Sequence, residues 1–79
     1  ACVAYEAALE ASHAAVGAYT ARLAAEERRP EPDHAQIERW RAGQQAVVRD
    51  RDALDPADAV AVARARARFT DLAREIREG

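Results

Sequence analysis

Apolar positions along the chain recur in three stretches, each with the 3,4 spacing of one helix face. In the first, Cys2, Tyr5, Leu9, Ser12, Val16, Tyr19 and Leu23 form a heptad seam whose one polar member is Ser12. A ridge of Ala4, Ala8, Ala11, Ala15 and Ala18 runs beside it, and small side chains along a ridge let another helix approach closely. Gly17 sits within this stretch, either as a further point of close approach or as a tolerated surface glycine. The second stretch reads Ile37, Trp40, Gln44, Val47, Arg51 and Leu54, broadened by Val48. Its polar Gln44 and Arg51, and the helix-weakening Gly43, make it the least buried of the three. The third carries Val62, Ala65, Phe69, Leu72 and Ile76, with Ala59 and Val60 near its start. No alternating run long enough for a strand occurs anywhere.

Two proline-marked breaks separate the stretches. In Arg29-Pro30-Glu31-Pro32-Asp33 each proline pushes its predecessor out of the helical region. Asp33 with Gln36 three residues on fits a capping box, while Glu31 before Pro32 is the other candidate cap. Asp55-Pro56-Ala57-Asp58 reads as a helix start, with a capping Asp, proline at the first position and acidic side chains at the positive end of the dipole. Helices are therefore expected at about 1–28, 33–53 and 56–78 of a single domain covering 1–79. Short connections make successive helices antiparallel neighbours. The expected fold is all-α: an antiparallel three-helix bundle, up-down-up, with a long first helix, open to completion by dimerisation. The first helix outruns the other two, so its first two turns, with Cys2 and Tyr5, should overhang and meet either solvent or a second chain.

Composition narrows what such a bundle can do. Of the 79 residues 22 are Ala, so each helix has high intrinsic propensity but buries little area per side chain. A chain this short hides only about 60% of its unfolded surface, so it gains from a second copy or a partner. Its size excludes a dinucleotide-binding βαβ enzyme or a barrel. Net charge is −2, which argues against a general nucleic-acid or acidic-membrane binder. No apolar run approaches the ~20 residues that span a bilayer. All twelve basic residues are Arg, a bias that reads as GC-rich coding rather than function. One cysteine and no visible secretory segment lead us to expect a cytoplasmic protein.

Candidate chemistry is sparse. Glu6, Glu10 and His13 share a face, and Glu10-x-x-His13 has the spacing used in di-iron bundles, which need further carboxylates from other helices. The competing reading is a solvated Glu-His pair, and we assign no metal ligand and no cofactor. His34 and Glu38 begin the second helix without a metal or catalytic partner. Ser12, Thr20 and Thr70 stand in no nucleophile arrangement, so no catalytic residue is assigned and no enzyme is expected. Cys2 reads first as a buried or interface thiol, then as a reactive one near a helix start, and last as a lipoprotein remnant. Arg64, Arg66 and Arg68 form a basic cluster, and Arg64, Asp71 and Glu75 read as an ion-pair ladder. As a DNA-reading helix the third segment would present Asp55 and Asp58 to phosphate, which repels. Trp40 reads as a core residue near Leu23 and Ile76, with an exposed partner hot spot as the alternative.

The function expected from these features is a small non-enzymatic protein–protein interaction module: an adaptor, regulator or assembly partner. It would self-associate, or meet a protein partner, through Cys2, Tyr5, Leu9, Val16 and Tyr19. The alternatives are a helical metal or redox protein whose Glu6, Glu10 and His13 are completed in a dimer, and a weak nucleic-acid-binding regulator using Arg64, Arg66 and Arg68.

Overall fold

A computed structural model describes residues 3–79. It contains three helices: α1, Val3–Glu27; α2, His34–Asp52; and α3, Ala59–Glu78. No strand occurs among the described residues. The three-helix bundle expected from the periodicity is the observed architecture.

α1 is the spine. α3 runs parallel to it and packs along it extensively, α2 runs antiparallel and packs on it less, and α2 and α3 barely touch. The alanine ridge explains the first of these contacts. Ala8 and Ala15 are fully buried and Ala18 nearly so, opposite Val62, Ala65, Phe69 and Ala73 of α3, which are also buried. Small side chains on both helices bring the axes close enough for dispersion contacts to repeat along their length. Arg22 locks the far end of this pair: its Nε donates to the Ile76 carbonyl at 2.8 Å and its Nη2 to the Arg77 carbonyl at 3.1 Å. Those carbonyls belong to the last turn of α3, where helical partners run out and positive charge is favoured.

The polar members of the seams all find hydrogen-bond partners. Ser12 is buried and its hydroxyl donates to the Leu9 carbonyl at 2.6 Å. Gln44 Nε2 donates across the α1–α2 contact to the Val16 carbonyl at 3.2 Å and to Thr20 Oγ1 at 2.8 Å. Arg51 is half-buried and reaches Asp52 at 3.3 Å.

Both connections differ in detail from the expected ones. Asp33 caps α2, its side chain accepting from the Gln36 backbone N–H at 3.1 Å. The reciprocal half of the box is absent, because the Gln36 side chain accepts from Arg39 instead. Glu26 replaces it, with Oε2 accepting the Asp33 backbone N–H at 2.9 Å. α3 begins one turn later than the proline at 56 suggests. Asp55 and Asp58 close a turn, with the Asp58 N–H donating to the Asp55 carbonyl at 3.0 Å and the Ala57 N–H to Asp55 Oδ1 at 2.9 Å. Asp58 is then the cap, accepting from the Ala61 N–H at 3.0 Å. The expected two-turn overhang of α1 also shrinks. α3 reaches back to Ala4, which shares a concavity with Val62, and Tyr5 is half-buried, while Val3 remains 80% exposed.

Candidate docking groove

Because α2 and α3 lean on α1 without closing on each other, a groove of about 520 Å³ stays open between them. Tyr19 of α1 forms its floor, Gly43 and Val47 its α2 wall, and Phe69 and Leu72 its α3 wall. A smaller concavity of about 290 Å³ shares Glu75 with it and is lined by Arg22, Trp40 and Ile76. The large apolar side chains Trp40, Leu72 and Ile76 are packed on the core cluster yet only half-buried. Their spacing sets this up. Trp40, Gly43 and Val47 on α2, and Phe69, Leu72 and Ile76 on α3, each advance by 3 and 4 residues and so keep one face toward the gap.

Gly43 fixes the depth of the groove. A Cβ added there would lie 2.6 Å from Tyr19 Cζ and 2.9 Å from its Cε1, and closer still to the hydroxyl. The Tyr19 ring thus lies against the backbone of α2, where only hydrogen fits. Burial, followed by the nearby Glu75 carboxylate, raises the Tyr19 hydroxyl above its ordinary pKa of 10.0. The phenol therefore stays neutral at physiological pH.

The rim is charged. Asp50 and Arg68 face each other across one end at 3.7 Å, and Arg68 also lies 5.2 Å from the centre of the Phe69 ring. Asp71 and Glu75 follow one helical turn apart along α3. Asp71 accepts from Arg74 at 2.9 Å, so the expected ladder from Arg64 through Asp71 to Glu75 is not formed. Arg64 and Arg66 are exposed.

The expected interface residues of the first helix have mixed fates. Tyr19 is buried in the chain's own core, Val16 is packed against that core, and Tyr5 and Leu9 are half-buried. Cys2 lies outside the described residues. Glu6, Glu10 and His13 are exposed, and no group of three or more potential metal ligands converges among the described residues. Trp40 lies near Ile76 as expected, but half-buried in the smaller concavity that adjoins the groove rather than sealed in the core. No described helix is long and apolar enough to cross a membrane.

Sequence reasoning misses Arg22, which clamps the end of α3, and Glu26, which is 7% exposed and continues the seam three positions after Leu23. Glu26 is the buried one of the two. It accepts from Arg29 Nη1 at 2.9 and 3.1 Å as well as from the Asp33 N–H. The Asp33 N–H, followed by Arg29, holds its carboxyl below the ordinary glutamate value against the opposing effect of burial. Its spacing in the seam is the signal that could have found it. Compared with known proteins, the chain matches no family model, no curated protein and no solved structure.

Proposed function

We propose that the chain is a non-catalytic helical interaction module of the cytoplasm that receives a helix of another protein in the groove between α2 and α3. The observation that carries this reading is the set of half-buried large side chains, Trp40, Leu72 and Ile76, aligned along a gap that two helices leave open over a third. Helix-in-groove recognition uses such a row of apolar positions at helical spacing. An inserted helix would complete a four-helix arrangement and remove the remaining apolar surface of these three side chains from water.

Trp40 is the only tryptophan and lines the concavity that adjoins the groove at Glu75, so its emission reports a helix laid along both. Titration with tryptophan-free amphipathic helical peptides should shift that emission to shorter wavelength and saturate. Leu72→Arg should abolish the shift while the far-ultraviolet circular dichroism stays helical. An emission spectrum unmoved by every such peptide at high micromolar concentration would sink the reading.

Self-association through the start of α1 is a second reading. It is favoured by Val3 at 80% and Val60 at 59% exposure, both at the end of the molecule where α1 and α3 begin. Sedimentation equilibrium over a hundredfold range of concentration separates the two: a mass that rises with concentration and falls back in Val60→Glu supports this second contact.

A further inference from the structure

We propose that the groove selects a basic amphipathic helix, one whose apolar ridge is flanked by Arg or Lys, an assignment that rests on the groove being a docking site. The rim carries three carboxylates, Asp50, Asp71 and Glu75; Asp50 is paired with Arg68 and Asp71 with Arg74, so the surplus charge of the rim is the carboxylate of Glu75. Arg68 is engaged by Asp50 and by the Phe69 ring, so it offers little to an acidic ligand. Glu75 makes no ion pair among the described residues and stands where the two concavities meet. Its field already reaches the floor, where it acts on the Tyr19 hydroxyl. A ligand helix lying along the gap would pass Asp71 and Glu75 on the α3 side over successive turns and meet Asp50 at one end. Arg or Lys side chains at its flanks would place their charge over these carboxylates while their aliphatic stems cover the apolar wall.

The same rim argues against a second copy as the occupant. A two-fold pairing of grooves brings together two rims that each carry a surplus carboxylate, which costs energy where a basic partner gains it. Length also suits a single helix. From Gln36 in the smaller concavity to Asp50 in the groove, α2 advances about 14 residues, or roughly 21 Å, some four turns.

Three peptides of about 18 residues, long enough to hold some helix when alone, test the proposal. They share one apolar ridge, lack tryptophan, and differ only in having Arg, Gln or Glu at the flanks. Binding is read from Trp40 emission and from the anisotropy of a terminal fluorophore. The expected order of affinity is Arg, then Gln, then Glu, with the Arg peptide losing affinity as salt rises. Asp71→Arg with Glu75→Arg should invert the order. The milder Asp71→Asn with Glu75→Gln should weaken the Arg peptide by about tenfold at low salt and leave the Gln peptide unchanged. Circular dichroism confirms that both variants, which alter exposed positions, remain helical. Equal affinity of all three peptides, untouched by either variant, overturns the charge assignment while the groove stands. No binding by any peptide removes the groove and this assignment together. A sedimenting dimer whose dissociation is needed before any peptide binds overturns it in favour of a second copy.

Discussion

At Gly43 the backbone of α2 passes directly over the Tyr19 ring, and a methyl group there would have to displace a side chain that is only 9% exposed. Overpacking of this kind costs about 1–3 kcal/mol, which exceeds the ~1 kcal/mol of helix propensity that alanine gains over glycine. Gly43→Ala should therefore lower the denaturant midpoint. Gly17, with nothing within 4 Å of its would-be Cβ, is the control. Gly17→Ala should raise stability by about 0.5–1 kcal/mol at unchanged m-value. If both substitutions stabilise, the Tyr19 contact is soft and the groove floor is not fixed by it. The two glycines look alike in the sequence, each inside a helical pattern. Only the tertiary pairing of α1 with α2 distinguishes them, and no local spacing encodes that pairing. The alanine ridge, by contrast, was legible because a run of small residues at helical spacing has a packing consequence of its own. What it could not reveal was that the partner is α3 of the same chain rather than a second copy.

The elements owe their limits to a few acidic side chains, each acting differently. Glu26 ends α1 and positions the start of α2 through the Asp33 N–H. Its carboxyl has a depressed pKa in the fold, so its stabilising contribution is present above the unfolded value, about 4.3, and is lost as pH falls through the folded value. Glu26→Gln keeps an acceptor for Asp33 but no charge. The melting temperature of wild type should exceed that of the variant at neutral pH, and the gap should close as pH is lowered from about 6 to 3. A gap that is constant with pH would mean that the charge does not matter. In the second connection, Asp58 caps α3 and Asp55 shapes the turn before it. Asp58→Ala should cost about 1 kcal/mol, as loss of a helix cap does, and Asp55→Ala clearly less. Equal costs would return the start of α3 to Asp55-Pro56. The proline here marked the break correctly, but two aspartates three apart are each a sound cap, and the intervening turn decides between them.

On the scale of the molecule the three helices are not equivalent. α1 and α3 are joined by close-packed small residues and by the Arg22 clamp, whereas α2 rests on α1 with only slight contact to α3. Of α2's side chains only Ile37 and Val47 are buried, so fewer apolar groups resist its detachment. Local opening follows such differences in contact density. Amides of α2 should therefore exchange with solvent faster than those in the middle of α1 and α3, by way of a partly open state in which the α1–α3 pair persists. Hydrogen exchange followed by mass spectrometry resolves this helix by helix, and uniform protection across all three would show a single cooperative unit instead. The same measurement bears on the groove. A helix seated between α2 and α3 would supply the contact that these two lack, so saturating peptide should slow exchange most in α2, the helix with most to gain. Slowing confined to α1 and α3 would place the ligand on another face, because a ligand stabilises most the element that it ties to the rest.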